Sequence, residues 1–492
     1  MELLIRFDRK DDRSLQVQLY EEMRRLILSG TLKPGQRLPS SREVSEQLGI
    51  ARNTVTLAFD RLRLEGYVAA REKAGMFVGD TLPDAGVLVG TSGAAEGLIS
   101  DPIQLARSPA FTARAPELWR DPGARPALDL SVGRPHTSSF PTTFWRRCGA
   151  RHLARAGGPQ TQYGDPRGLL KLRYAIAAHL GATRGIEASP DQILVTSGIQ
   201  GALNLLARIL IGRRSPQQVA IENPCYQGAA YLFSSYGARL FGVDVDEQGL
   251  DVSQLEAFQG ALLYVTPSHQ FPTGYTMTLE RRQQLLDWAY RTGTYIVEDD
   301  YDSDFRYDGP PLTALAGLDR GNRVIYLGTF SKSIGPGMRL GYAVLPPSLV
   351  EPARNAKALL DNGAQWLEQA VVADFIAQGE FLRHLRRIRQ MYLAARNALV
   401  EAIGEHFPDS RLSGTESGMH IMWRLPDGLP DVREVQRRAA TVDVGLYGLP
   451  AAAAFEVRPR EDFAERALVV GYTGLSPDEN REAIARVAKI LK

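Results

Sequence analysis

Pro39-Ser-Ser-Arg-Glu-Val-Ser-Glu-Gln-Leu-Gly-Ile-Ala-Arg-Asn-Thr-Val-Thr-Leu-Ala-Phe-Asp-Arg-Leu-Arg-Leu-Glu-Gly66 organises the amino-terminal part of the chain. Ser40 and Glu43 have capping-box spacing, in which each side chain satisfies the other's backbone N–H, so a helix is predicted to start near Ser41. Val44 and Leu48 give that helix one apolar face, and Gly49 supplies its stop. A second helix is predicted from about Arg52 to Glu65, with Val55, Phe59 and Leu62 facing inward and Gly66 ending it. Two short helices joined by a glycine turn make a helix-turn-helix.

Just beyond, Tyr67–Ala70 and Met76–Val78 are expected to pair as two strands around Arg71-Glu-Lys-Ala-Gly75, a basic wing. The start of the second helix is where such a motif meets the major groove. Arg52, Asn53 and Thr54 stand there with a guanidinium, an amide and a hydroxyl, groups suited to base edges and phosphates. Arg42, at the start of the preceding helix, is placed for a backbone phosphate. From Lys33 to Lys73 the basic residues are Lys33, Arg37, Arg42, Arg52, Arg61, Arg63, Arg71 and Lys73, against Glu43, Glu46, Asp60, Glu65 and Glu72. That excess is mild, and a helical protein-interaction module with a solvated charged face is the alternative reading.

At 492 residues the chain exceeds what one hydrophobic core usually supports. The expected division is a head over 1–80, a linker over 81–127 rich in Gly, Pro, Ala and Ser, and a large domain over 128–492. Composition is that of an ordinary soluble protein, with 44% hydrophobic and 23% charged residues and a net charge of +2. Cys148 and Cys225 lie far apart without metal-ligand spacing, which argues against a disulfide framework or a zinc site. A reducing, cytoplasmic setting is expected, with no membrane contact. In the large domain, apolar strands are predicted at Gln192–Thr196, Gln218–Glu222, Ala261–Val265, Tyr295–Glu298, Arg323–Leu327 and Arg339–Leu345. Helical stretches such as Gly201–Leu210 and Leu279–Arg291 alternate with them. That pattern predicts an α/β domain with a mainly parallel, doubly wound sheet, followed by a smaller C-terminal α+β subdomain.

Several strand ends carry groups of one chemistry. Thr329-Phe-Ser-Lys-Ser333 follows a strand and sets Lys332 among hydroxyls, with Arg339 close behind. The strand Tyr295–Glu298 runs into Asp299-Asp-Tyr301-Asp. Val195-Thr-Ser-Gly-Ile-Gln200 joins a strand to a helix whose free N–H groups would hold a phosphate. Tyr226 is placed to stack on a ring. A lysine for an imine, an anion for a ring nitrogen, a stacking partner and a phosphate cradle are what pyridoxal phosphate requires. Asp299 would pair with the pyridine nitrogen, and Tyr301 would donate to the phenolic oxygen. Read one by one, these segments could equally be a surface lysine, a solvated acidic loop, an ordinary Ser-Gly turn and a core tyrosine.

Gly30-Thr-Leu-Lys-Pro-Gly-Gln-Arg-Leu-Pro-Ser-Ser-Arg42, with Leu48-Gly and Arg52-Asn-Thr-Val, resembles the GntR-type winged helix from about Ser14 to Val78. The resemblance implies DNA contacts from Arg42, Arg52, Asn53, Thr54 and the wing around Gly75. Ala51 departs from the usual capping serine, and the wing reads Lys-Ala-Gly where Gly-Ser-Gly is usual. From Leu128 to Lys492 the chain resembles fold-type-I aminotransferases, through Tyr163-Gly-Asp-Pro-Arg-Gly168, Ser197-Gly-Ile-Gln200, Asn223-Pro-Cys-Tyr226, Pro272-Thr-Gly274, Glu298-Asp-Asp-Tyr301 and Ser331-Lys332. It implies an internal aldimine on Lys332 and ring-nitrogen contact by Asp299. It further implies phosphate contacts from Gly198, Ile199, Gln200, Thr329, Ser331 and Arg339, and a homodimer in which Tyr163 reaches the partner's cofactor. Head and body together resemble the MocR/GabR family of bacterial regulators, which implies double-stranded DNA and a small-molecule effector as partners. Val469 stands where aminotransferases hold the substrate carboxylate with an arginine, and Phe271 where they have an asparagine. Sensing of pyridoxal phosphate itself, or of an amino compound, is therefore expected, in the manner of the vitamin B6-responsive members. A working aminotransferase carrying a DNA-binding head is the alternative.

Overall fold

The computed structural model describes residues 5, 7, 13–71, 75–80, 125–154, 157, 161–211, 217–309, 312–363 and 365–491. The chain divides into two compact units, Met1–Ser108 and Pro109–Lys492. Most of the segment read as a linker, and the wing residues Glu72 to Ala74, lie outside the described residues.

The first unit holds α1 (Leu15–Leu28), α2 (Ser41–Leu48), α3 (Arg52–Leu64) and the antiparallel strands β1 (Val68–Arg71) and β2 (Gly75–Val78). Its boundaries follow from local chemistry. Ser40 Oγ accepts from the Glu43 N–H and the Glu43 carboxylate accepts from the Ser40 N–H, so the capping box forms. Gly49 closes α2 with φ of 64°, a left-handed conformation that glycine adopts without strain. Ala51 begins α3 with no side-chain cap. Leu19, Met23 and Ile27 of α1 close on Val44 of α2, on Val55, Phe59 and Leu62 of α3, and on Val68 and Val78 of the hairpin. This head has a core of its own.

The second unit is built on an eight-stranded sheet. In chain order its strands are β3 (Ile193–Thr196), β4 (Gln218–Asn223), β5 (Arg239–Asp246), β6 (Gly249–Leu250), β7 (Gly260–Val265), β8 (Tyr295–Asp300), β9 (Val324–Thr329) and β10 (Gly341–Val344). Across the sheet the order is β3-β10-β9-β8-β7-β4-β5-β6. β10 runs antiparallel to both neighbours and β6 antiparallel to β5; the remaining strands are parallel. The parallel strands are almost wholly buried, as sheets covered by helices on both faces require. The C-terminal part adds a three-stranded antiparallel sheet, β11 (Arg411–Ser413), β12 (His420–Arg424) and β13 (Ala467–Gly471), beside the long helix Glu380–His406 and the last helix Pro477–Leu491.

Two readings of the sequence need correction. The strand expected over Arg339–Leu345 starts only at Gly341, because a 3-10 turn at Pro336–Met338 leaves Arg339 left-handed at φ 48°. β5 escaped notice because Arg239, Gly242, Asp244 and Asp246 interrupt its apolar run, as suits a strand near the sheet edge with mixed burial. Among the described residues, no helix is long and apolar enough to cross a membrane.

Candidate functional site

In the head, Arg52 and Asn53 open α3 and are exposed, while Thr54 behind them is half-buried. Arg52 Nε lies 3.4 Å from Ser41 Oγ, which brings the starts of α2 and α3 side by side. Arg42, in the first turn of α2, is exposed and makes only an i,i+4 pair with Glu46. Gly75 begins β2 at φ 104°, opposite Arg71. Arg37 was counted in the sequence only as charge. Its guanidinium packs where a side chain on Gly75 would begin, 3.5 Å from that Cβ position, and Arg37 bridges to Phe77. Five donors of hydrogen bonds or positive charge, Arg37, Arg42, Arg52, Asn53 and Arg71, thus belong to the helix starts and the hairpin of one small unit.

In the body, the carboxyl ends of β3, β4, β7, β8 and β9 converge, which is where open α/β sheets bind ligands. Lys332 is reached by the turn after β9, and its Nζ donates to the Gly133 carbonyl at 3.1 Å. Gly133 has φ of 73°, which favours glycine, and a Cβ there would fall 2.3 Å from that nitrogen and push the lysine aside. Burial, reinforced by Arg339, pushes the Lys332 amine below its usual range, against the opposing pull of Asp302 and Asp299. Asp299 lies at the end of β8 with Oδ2 accepting from the Tyr264 hydroxyl at 2.6 Å. Its Oδ1 is buried and has no partner among the described residues. Burial pushes the Asp299 carboxyl up to about 7, with Tyr264 and Lys332 pulling the other way.

The acidic run is therefore not a solvated loop. Glu298 accepts from the N–H groups of Leu315 and Ala316, Asp300 from Arg184 and Tyr326, and Asp302 pairs with His269. Each carboxylate has its own buried task.

Gly198, at φ 83°, precedes the helix Ile199–Leu210, whose first N–H groups have no carbonyl one turn earlier to bond. The Arg339 guanidinium donates to the Ser197 carbonyl at 2.8 Å and stands 3.1 Å from where a Gly198 Cβ would be. Thr329 Oγ1 and Ser331 Oγ are 3.0 Å apart. Gln200 donates to the Gly228 carbonyl and lies 3.5 Å from the Tyr226 hydroxyl, whose ring meets Phe271 edge-on. Tyr301 is in the same region, with its hydroxyl 3.0 Å from the His269 carbonyl. Tyr163 stands apart, 88% exposed. An aromatic aldehyde phosphate could be held here, with Asp299 facing a ring nitrogen, Lys332 the aldehyde, and Gly198, Ile199, Gln200, Ser331 and Arg339 the phosphate.

Val469 is fully buried in β13, in register with Met422, and packs with Tyr447, Leu449 and Phe463, with Phe271 and Val132 against the same cluster. Tyr264 and Gly133 had no signal in the sequence, since each matters only through a contact across the fold; His269 stood in Thr266-Pro-Ser-His-Gln-Phe-Pro-Thr-Gly274, a stretch of family resemblance, with no role attached to it. A separate group, Cys148, His152 and Asp374, offers metal-type donors, but Arg151 and Lys171 both bond to Asp374 there. The two cysteines are free and buried.

The model of the family described as aminotransferase class I and II matches residues 125–485, and that of bacterial regulatory proteins of the gntR family matches residues 15–78. The chain is 35% identical to the probable rhizopine catabolism regulatory protein MocR of Rhizobium meliloti, over 97% of this chain and 94% of that protein. It is 32% identical to the pyridoxine biosynthesis transcriptional regulator PdxR of Corynebacterium glutamicum, over 83% of each. Among solved structures, it is similar to the kynurenine aminotransferase of Pyrococcus horikoshii, with a TM-score of 0.67, 29% identity, and coverage of 75% of this chain and 91% of that one. It is also similar to the α-aminoadipate aminotransferase LysN of Thermus thermophilus, solved with N-(5'-phosphopyridoxyl)-L-leucine, with a TM-score of 0.66, 29% identity, and coverage of 74% and 92%.

Proposed function

The chain belongs to the MocR/GabR family of transcriptional regulators, a gntR-type head on an aminotransferase-like body, and from that premise we propose that its body binds pyridoxal phosphate on Lys332 and that occupancy of this pocket governs how the head binds its operator. The observation that carries the reading is the pairing, in one strand-end pocket, of a half-buried lysine with a buried carboxylate oxygen that has no partner among the described residues. An unsatisfied buried carboxylate is costly, and a protonated ring nitrogen is the group that would satisfy it. Bound there, pyridoxal phosphate supplies an aldehyde that amines condense with and a ring that withdraws electrons. Asp299 keeps the ring nitrogen charged, Tyr264 orients Asp299, and Arg339 with the start of the helix Ile199–Leu210 fixes the phosphate. Lys332, held below its usual pKa, gives up its proton more readily than a solvated lysine.

Pyridoxal phosphate itself is the effector favoured here. Val469, where aminotransferases carry the arginine that captures the substrate carboxylate, is instead buried in an apolar cluster with Met422, Tyr447 and Phe463, against which Phe271 and Val132 pack, and offers such a carboxylate no bidentate partner. The similarity to PdxR, a regulator of pyridoxine biosynthesis, supports the same choice. Transamination of ordinary α-amino acids is disfavoured by the valine in the arginine's place. The family fold also supports a homodimer, in which the exposed Tyr163 would reach the partner's pocket and two heads would contact two half-sites. Within each head, Arg42, Arg52, Asn53, Thr54 and the hairpin at Gly75 are assigned to the duplex.

The test is a titration of the purified protein with pyridoxal phosphate and, separately, with a panel of amino acids, followed by absorbance and by operator binding. A visible band that borohydride fixes in the parent protein and not in Lys332→Ala is expected, with basal DNA affinity retained in the variant. A fixed adduct in Lys332→Ala removes the cofactor assignment. A strong spectral response to one amino acid replaces the vitamin as effector.

A further inference from the structure

His269 sits at the edge of the pocket in surroundings that the reading above leaves without a task. Its side chain is fully buried, and its Nδ1 lies 2.9 Å from Asp302 Oδ2. The Tyr301 hydroxyl is 3.1 Å from the same Nδ1 and 3.0 Å from the His269 carbonyl oxygen. The ring is confined on its other sides. The His420 ring lies 4.6 Å away, and a Cβ on Gly418 would fall 2.1 Å from Cε1. Cβ atoms on Gly274 and Gly414 would come within 3.1 and 3.0 Å of Nε2. The imidazole cannot turn.

Its protonation follows from its partners. Nε2 is buried and has no hydrogen-bond partner. A proton there would be an unsatisfied buried donor, whereas a proton on Nδ1 is accepted by Asp302, so the Nδ1–H tautomer is favoured. That single hydrogen is shared between two acceptors, Asp302 Oδ2 at 2.9 Å and the Tyr301 oxygen at 3.1 Å from Nδ1. Tyr301 owns one hydroxyl hydrogen and has two places to send it: the His269 carbonyl, or the phenolic oxygen of a cofactor on Lys332. When its oxygen accepts from Nδ1–H, the hydrogen is turned away from His269, and the phenol becomes a stronger donor because hydrogen bonds in a chain polarise one another.

We propose that His269, held by Asp302, is a positioning residue that aims the Tyr301 hydroxyl at the cofactor's phenolic oxygen and so sets the pH at which the Lys332-bound cofactor changes its visible absorption. A donor to the phenolic oxygen draws charge from it and weakens its grip on the neighbouring imine proton, so the aimed hydroxyl lowers that pH. The ionisable groups around the pair are Tyr301 and Asp302 on the strand-end loop, His420 on β12, Tyr307 and Tyr472 near Asp302, Lys332 and Asp299 in the pocket, and Glu222 on β4. The inference rests on the binding of pyridoxal phosphate at Lys332.

The experiment is a spectrophotometric pH titration of the full-length, vitamin-loaded protein, with Tyr301→Phe, His269→Gln, Asp302→Asn and the double variant His269→Gln/Tyr301→Phe, each checked for its melting temperature. Tyr301→Phe is expected to raise the midpoint by about one pH unit. His269→Gln is expected to raise it by roughly half as much or more, and to add nothing in the Tyr301→Phe background. Asp302→Asn should move it in the same direction, and stands in for His269→Gln should that variant not fold. The proposal is overturned by an unmoved midpoint in His269→Gln, by shifts that add in the double variant, or by a Tyr301→Phe protein that titrates like the parent. Should the parent protein develop no visible band at all, it is the cofactor reading that fails, and this inference with it.

Discussion

Asp299 shows what a buried carboxyl does to the protein that holds it. Its carboxyl is pushed up to about 7 by burial, against about 3.9 in an unfolded chain. Between those values the native protein keeps a proton that the unfolded chain has released. Stability therefore declines as pH rises from about 4 to about 7 and stays at the lower level above. Asp299→Asn removes that penalty and can keep the Tyr264 contact. Stripped of bound vitamin, this variant is expected to melt several degrees above the parent at pH 8, with the gap closing toward pH 5, while its visible band on loading is lost. Scanning fluorimetry at the two pH values checks this; a parent that melts higher at pH 8 refutes it. Lys332 and Asp299 were legible in the sequence because each follows an apolar strand directly. Tyr264 was not, because it meets Asp299 only through the register of β7 on β8, where it lies opposite Val297.

At the scale of elements, local chemistry wrote the head almost completely. The capping box at Ser40 and Glu43, the left-handed Gly49 and the inward spacing of Val55, Phe59 and Leu62 all act within one or two turns of their own position. Ser40→Ala is expected to destabilise the head by about 1 kcal/mol, a typical loss for an N-cap. Denaturant unfolding followed by helical signal would show it, and an unchanged midpoint would mean that α2 is held by packing alone. The body was legible where strands are continuously apolar and obscure where they are not. β5 is the instructive case, since its polar residues are tolerated by a place near the sheet edge that no local pattern announces. Two glycines around His269 belong with it: Gly414 and Gly418 look like ordinary turn residues until the C-terminal sheet brings them against the loop after β7. Val469 was noted as a missing arginine, yet its partners Tyr447 and Phe463 come from distant turns.

For the whole molecule, two cores imply two unfolding events. Calorimetry on the full chain is expected to resolve separate transitions, because the head's buried residues pack on one another. Phe59→Ala should lower the head's transition by about 3–5 kcal/mol and leave the body's transition and visible band unmoved. A single shared transition would show the two units to be coupled. Operator binding should weaken steeply with salt, and Arg42→Ala should flatten the slope of log affinity against log salt by about one, whereas Arg52→Ala should also relax sequence preference. Footprinting at graded salt measures both, and an Arg42→Ala slope equal to the parent's would remove that residue from the backbone contacts. The self-sufficient core of the head has one more consequence. Grafted onto an unrelated dimeric receptor, residues 1–80 should carry their operator preference with them, so an address on the chromosome and the molecule that triggers it can be recombined like interchangeable parts.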